Sequence, residues 1–513
     1  MGKGNDFQYD NSSYIGEKNG DLPSKEVTAS SSTTSVTASD PERSSSGPQT
    51  PGAGHLTRAD RWRIIKNVVA ISFSFMCLFT AFQSMSNLQS SINSEAGLGT
   101  KSLATIYVAL IVSCMFLPSL VIKKLTCKWA MVVCTFCYSL YMLAQFYPRS
   151  YTMIPAAIIL GFGAAPMWSA KCTYLTQVGK IYAEIIEDAS EPIIVKFFGI
   201  FFLLFQSSQI WGNLISSMVL NPGQGAGVEP PSEESLSICG INYCPGAESA
   251  GGSAVNNTNL ERPDEVRIYT LAGIFLGLAV LSSVLISILV DSLDRYGEKE
   301  RTNNQGEKSP LQLLLATFVH LKKPYQILIV PLTLWSGFEQ GFITADFTKA
   351  YVSCAWGIHR VGLVMITYGV CDAICSFSFG FVIKRIGRVP IFVFGALINY
   401  GVIIAFIHWM PRPDESHVFF LLAAAWGIAD AVWQTQINAF YGVIFPHTSE
   451  AAFSNYRLWE SLGFAISFIY SDMLCVDVKI YILLVVLTLG MIGYLTIEVL
   501  ERKRCKTLSI TKE

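Results

Sequence analysis

The chain is short of charge. Asp, Glu, Lys and Arg make up only 15% of its 513 residues, against roughly 25% in an ordinary soluble domain. With 51% of residues hydrophobic, that shortage excludes a conventional water-soluble fold. Neither sign dominates either: the formal net charge is −1, which argues against nucleic acid as a partner. The six His are scattered and form no metal-ligand set. No nucleophile elbow, His-Glu pair, P-loop or flavin fingerprint is present, so an enzyme is the least supported class and no cofactor is expected. A signal peptide is missing too. Residues 1–57 are rich in Ser, Thr, Gly and Asp without a periodic apolar face, and they read as a disordered cytoplasmic tail ahead of a first span that must direct its own insertion.

What the chain does have is a series of apolar runs, each about 20 residues long and so able to cross a bilayer. Six fall near 66–88, 102–122, 129–147, 152–176, 193–220 and 267–290, and six more near 326–348, 360–383, 390–410, 417–441, 452–474 and 479–499. The reading is therefore an all-α polytopic membrane protein. A first half occupies 58–290 with an outer loop at 221–266, a second half 326–500, and a short cytoplasmic tail 501–513. The charged linker 291–325 between them carries Leu311, Leu314, Phe318 and Leu321 at the spacing of a short amphipathic surface helix.

Cytoplasmic segments hold an excess of Lys and Arg. Arg58, Arg61, Arg63 and Lys66, then Lys123, Lys124 and Lys128, then Arg295, Lys299, Arg301, Lys322 and Lys323, then Lys384, Arg385 and Arg388, and finally Arg502, Lys503, Arg504 and Lys506 all fall on one face of a twelve-span plan. Both termini should be cytoplasmic and the loop from Asn221 to Glu265 outside. Asn256-Asn257-Thr258 in that loop is then a glycosylation acceptor. Cys239 and Cys244 in the same loop are expected to close a small disulfide ring, with Cys354 and Cys475, at the outer ends of their spans, as a second bridge. Cys134 and Cys137 have redox or zinc spacing but lie inside a span, where thiols behave as small apolar residues.

The two sets of spans repeat each other in parallel order. Leu78-Phe-Thr-Ala-Phe-Gln83 matches Leu334-Trp-Ser-Gly-Phe-Glu339, Val121-Ile-Lys-Lys-Leu125 matches Val382-Ile-Lys-Arg-Ile386, and Trp168 matches Trp433. Two pseudo-symmetric six-helix halves of this kind describe the major facilitator architecture, with a central cavity at mid-membrane depth. Gly380-Phe-Val-Ile-Lys384-Arg385-Ile-Gly387-Arg388 resembles that superfamily's cytoplasmic loop signature, with Lys384 where an Asp is usual. Acids across the interface would have to answer these bases, with Glu187, Asp188, Glu191 and Glu450 as candidates; a plain positive-inside loop is the alternative.

Gly163-Ala-Ala-Pro-Met-Trp-Ser-Ala-Lys-Cys-Thr-Tyr-Leu-Thr176, Trp426-Gly-Ile-Ala-Asp-Ala-Val-Trp-Gln-Thr-Gln436 and Ala452-Phe-Ser-Asn-Tyr-Arg-Leu-Trp-Glu-Ser-Leu-Gly-Phe464 resemble the Unc-93 family, especially its A-type members. The resemblance runs from Arg63 to Glu501. It implies the major facilitator fold and a partner that is a potassium channel subunit or another membrane protein.

Spans one, four, seven and ten line the cavity in that superfamily, and here they bring Gln83, Lys171, Glu339 and Asp430. Asp430, Gln434 and Asn438 form one polar stripe at helical spacing, and Trp335, Glu339, Phe342 and Asp346 share another face with Lys349 a turn beyond. A charge in low dielectric needs a partner, so Lys171 is expected to pair with Asp430, Glu339 or both. As a transporter the chain would use Glu339 or Asp430 as a protonation site; as a regulator it would use the pair as a fixed interhelical lock, the reading preferred because the resemblance points to partner regulation. Asp372 reads as a bond to a neighbouring helix, and Arg457 with Glu460 as an intrahelical ion pair. Membrane lipid is the surroundings, and the lack of clear sorting signals favours the plasma membrane.

Overall fold

The computed structural model describes residues 58–221, 232–245, 257–296, 319–445 and 449–510. The amino-terminal tail, Asn256 and most of the linker, including Leu311, Leu314 and Phe318, lie outside the described residues. Within them the chain is almost wholly helical, because a backbone in hydrocarbon must satisfy its own N–H and C=O groups. Eleven helices are long and apolar enough to cross a membrane, and Ser449–Ser471 supplies a twelfth long helix. That helix falls short on hydropathy because it carries Asn455, Arg457, Glu460 and several Ser. Asn455, Glu460, Ser461 and Ser467 are buried, so its polar side faces protein and not lipid.

In chain order the spans are α1 (Arg58–Ile92), α2 (Leu98–Ala144, two spans), α3 (Ser150–Ile186), α4 (Ser190–Leu220) and α5 (Glu265–Leu289) in the first half. The two spans of α2 break at Thr126, whose φ of 65° and ψ of 165° are not helical. The second half holds α6 (Pro324–Trp356), α7 (Val361–Ile386), α8 (Arg388–His408), α9 (Pro413–Ile444), α10 (Ser449–Ser471) and α11 (Val476–Ile510). Gly387 separates α7 from α8 at φ 78°, a left-handed turn that glycine adopts without the Cβ clash of other residues. Two stretches are π-helical, Phe342–Ser353 in α6 and Trp433–Ile437 in α9. Such segments are rare and frequent at functional sites.

The halves meet along two seams. On one, Tyr107 of α2 stacks on Phe464 of α10 with ring centroids 4.2 Å apart and planes 7° from parallel. On the other, Gln206 of α4 donates to Asp372 of α7 at 2.8 Å. Further contacts gather at the ends away from the basic clusters, here termed the outer ends. Ser90 and Ser91 of α1 lie 3.5 and 2.9 Å from Thr348 and Ser353 of α6, Thr100 of α2 bonds Asp472, and Ser217 of α4 donates to the carbonyl of His359 at 3.3 Å.

The outer disulfides differ from the expected pairing. The same four cysteines are joined, but as Cys239–Cys354 and Cys244–Cys475. The Gly240–Asn242 turn separates Cys239 from Cys244, and both face the second half. Each finds its partner at the end of a different span.

Candidate functional site

Each interior charge is held by the local character of its helix. Lys171 sits on α3 with 1% of its surface exposed. Its ammonium lies 4.2 Å from the Phe201 ring centroid, 4.8 Å from Trp168, 5.2 Å from Phe202 and 5.3 Å from Phe198. Trp168 of α3 and the aromatic face of α4 thus form a cage, and cation–π attraction replaces the expected carboxylate. The expected ion pairs between Lys171 and Glu339 or Asp430 are not formed. Gln83 also stays within its own half, accepting from Ser208 at 2.6 Å. The physical reason is shape: the first half buries its cation among its own bulky rings, so it never reaches the second half's acids.

Those acids lie together. Glu339 is fully buried and neither carboxyl oxygen has a hydrogen-bond partner in good geometry. The groups acting on it are the carboxyls of Asp430 and Asp372 and the indole of Trp426. Asp430, 3% exposed, accepts from the Tyr368 hydroxyl through Oδ2 and leaves Oδ1 unpartnered. Asp372, buried as well, accepts from Gln206 at 2.8 Å and from Ser376 at 3.1 Å. Asp372 therefore bonds a neighbouring helix as expected, and that helix belongs to the other half. Among the described residues no Lys or Arg forms an ion pair with any of the three. A bare carboxylate in such surroundings would be very costly, whereas a neutral, hydrogen-bonding carboxyl would not.

The polar residues of α9 fan out to three helices. Asp430 meets Tyr368 of α7, Gln434 donates to Ser336 of α6 at 3.3 Å, and Asn438 donates to Tyr456 of α10 at 3.3 Å. Glu460 ties the last two together, accepting from Tyr456 at 2.7 Å and Ser336 at 3.3 Å while pairing with Arg457 at 2.7 Å. Arg457 keeps 55% of its side-chain surface accessible. It sits within electrostatic reach of Cys172 on α3, itself exposed, so these two side chains of opposite halves lie near each other without close packing around them.

Two ion pairs were not legible in the sequence. The face shared by Trp335, Glu339, Phe342 and Asp346 ends where the π-helix begins. Asp346 there accepts from Lys479 of α11 at 2.7 Å, away from the acid group. Arg388 of the loop signature binds Glu498 of α11, one guanidinium nitrogen at 3.2 Å. This base is thus answered from its own half. Arg385 and Gly387 are exposed, while Gly380 and Lys384 lie in the last turns of α7 with their side-chain surroundings outside what is described. Cys134 and Cys137 are unpaired thiols, and no group of three or more metal-ligating side chains occurs among the described residues.

The family model described as "Ion channel regulatory protein UNC-93" matches residues 89–495, from the end of α1 into α11. The chain belongs to the UNC-93 family. Its relatives include Protein unc-93 homolog A of Xenopus laevis, 47% identical over 447 residues, which cover 87% of this chain and 96% of that one. The Homo sapiens protein of the same name is 44% identical over 444 residues, 86% of this chain and 94% of that one. The Putative potassium channel regulatory protein unc-93 of Caenorhabditis elegans is 35% identical over 437 residues, 85% of this chain but 61% of that protein. Among solved structures, the nucleoside transporter NupG matches with TM-score 0.56 at 13% identity, covering 84% of this chain and 99% of that one. The partially occluded, inward-open xylose transporter XylE of E. coli gives 0.53 at 13%, covering 84% and 98%. At such identities the likeness establishes the major facilitator fold, and this UNC-93 protein shares that fold alone with them.

Proposed function

We propose that this protein is a non-catalytic membrane regulator of an ion channel, a potassium channel foremost, acting on the channel's current or on the trafficking of a membrane partner. The observation that carries this reading is membership of a family described as ion channel regulatory along 89–495, with a relative named as a putative potassium channel regulator. The clustering of basic residues at one end supports cytoplasmic termini, and the lack of clear sorting signals supports the plasma membrane. It also supports glycosylation of Asn256 on the outside. Affinity purification from native membranes should bring down a channel subunit, and co-expression of that subunit should change its current. A purified, correctly folded protein with no channel partner and no effect on co-expressed potassium currents would sink the reading.

A second reading is a secondary transporter of a small solute coupled to a proton or sodium gradient. The observation in its favour is Glu339, Asp372 and Asp430 grouped in the interior without a basic partner. It expects gradient-driven uptake into liposomes that hold the purified protein alone. Uptake no greater than in empty liposomes would dismiss it.

A further inference from the structure

The outer loop leaves the first half after Leu220 and returns to it at Glu265, yet its described part is docked on the second half. Cys239 is bonded to Cys354 at the end of α6, and Cys244 to Cys475 just before α11. Between these points the Val476 amide donates to the Tyr243 carbonyl at 3.0 Å, and the Lys349 ammonium lies 5.7 Å from the Tyr243 ring centroid. Gly240 adopts φ +69°, and a Cβ there would stand 2.7 Å from Pro411 of the second half. Only glycine suits that approach. Farther on, Asn257 donates to the Cys354 carbonyl at 3.0 Å, and Asn259 donates to the carbonyls of Cys354 and Ala355 at 3.1 and 3.2 Å. Cys239, Tyr243, Asn257 and Asn259 are all buried.

The contacts beneath this segment join the same two bodies. Ser90 to Thr348, Ser91 to Ser353, Thr100 to Asp472 and Ser217 to His359 all cross between the halves at their outer ends. Near the basic end Arg457 and Cys172 are accessible. The halves therefore touch at their outer ends, while nearer the basic end accessible side chains lie between them. Any rearrangement that exposed the interior to the outside would have to part these hydroxyl contacts while the loop stayed fixed to the second half. Five residues separate Asn259 from Glu265, where α5 begins; fully extended they reach about 20 Å, so the slack is limited.

We propose that segments 232–245 and 257–264 form a strap that holds the outer ends of the two halves together, and that the two disulfides keep this strap seated. The inference does not rest on channel regulation: it concerns which side the interior faces, whatever the protein acts upon.

The test places a reporter thiol under the strap. Ser91→Cys, made in the full chain at the cell surface, is probed with a membrane-impermeant maleimide, and labelling of the parent chain is subtracted. With the disulfides intact the new thiol should stay unlabelled. Reduction in place with an impermeant phosphine, which passes two electrons to each disulfide and leaves two thiols, should raise its labelling rate by about tenfold or more, the size of a modest shift in a two-state equilibrium. A chain that also carries Cys244→Ser and Cys475→Ser should show the higher rate without reductant, provided it reaches the surface. If it does not, the reduction arm decides alone, since it acts on protein already folded. Equal labelling of Cys-substituted position 91 before and after reduction, whether both fast or both absent, overturns the proposal.

Discussion

Replacing Lys479 by Met is the sharpest test of how the second half is held together. Lys479 has no exposed surface and donates to Asp346 Oδ1 at 2.7 Å and to the Ser471 carbonyl at 2.6 Å. It thereby caps the last turn of α10 as well as neutralising Asp346. Ser471 also donates to Asp346, at 2.8 Å, while Asp346 Oδ2 has no partner. Removing the ammonium leaves a buried carboxylate with one hydroxyl donor, and breaking a buried pair in this way costs about 3–5 kcal/mol. Lys479→Met should lose that much in equilibrium unfolding from mixed micelles. The double substitution Lys479→Met with Asp346→Asn should recover most of it, because both charges are then gone and an amide still bonds Ser471. A single-mutant loss below about 1 kcal/mol, the range of exposed pairs, would refute the reasoning. A double mutant no better than the single would refute it too.

Three other outcomes follow from the same geometry. Glu339→Gln should fold with stability within about 1 kcal/mol of the parent in the same micelle assay, since no cation is lost; a loss above about 3 kcal/mol would mean that Glu339 is ionised and paired. Peptide mapping of non-reduced protein should yield Cys239 linked to Cys354 and Cys244 linked to Cys475, and Cys239→Ser with Cys354→Ser should cost about 2–5 kcal/mol. His320, beside the start of α6 and edge-on to Phe445 at 4.4 Å, has its pKa pushed down to about 4 by burial and by the nearby Lys323. The unfolded chain takes up this proton near pH 6.5 and the folded chain only near 4. Its contribution is therefore complete above pH 6.5 and lost on acidification towards 4, by at most about 1.4 kcal/mol per pH unit. His320→Phe should flatten that acid limb; an unchanged limb would assign it to other groups.

How much of this was legible beforehand depended on whether the signal was periodic. Apolar runs and the parallel repeat were enough to place the spans, because a bilayer leaves the backbone few choices. Asp430, Gln434 and Asn438 formed a visible stripe for the same reason. The pairing of Lys171 with an acid was an inference from charge alone, and it failed because four rings of α3 and α4 stand where a carboxylate was expected. Lys479 stands at the first position of the last apolar run, and no periodic signal marks it as buried. Its ammonium turns inward to the Ser471 carbonyl and to the Asp346 carboxyl, the latter far from it in the chain. The disulfides show the same limit. Four outer cysteines could be named from sidedness, but which sulfur meets which depends on the loop crossing to the other half, and no local spacing encodes that crossing.

The two halves thus solve the buried-charge problem in opposite ways, and this bears on what joins them. The first half holds a cation without an acid, and the second holds three acids without a cation. Had opposite charges been the adhesive, Lys171 would face Glu339 or Asp430; instead Lys171 stays among the rings of its own half, and Asp372 is met from across by the neutral Gln206. The seams are built from close packing of α7 glycines on α4, from Tyr107 on Phe464 and Gln206 on Asp372, and from the small hydroxyl contacts at the outer ends. Each ring or hydrogen-bond contact contributes about 0.5–1.5 kcal/mol, which is enough to select one arrangement but not to lock it against a partner that binds another. A regulator built this way would remain adjustable along its seams while two cross-half disulfides confine the adjustment to the basic end.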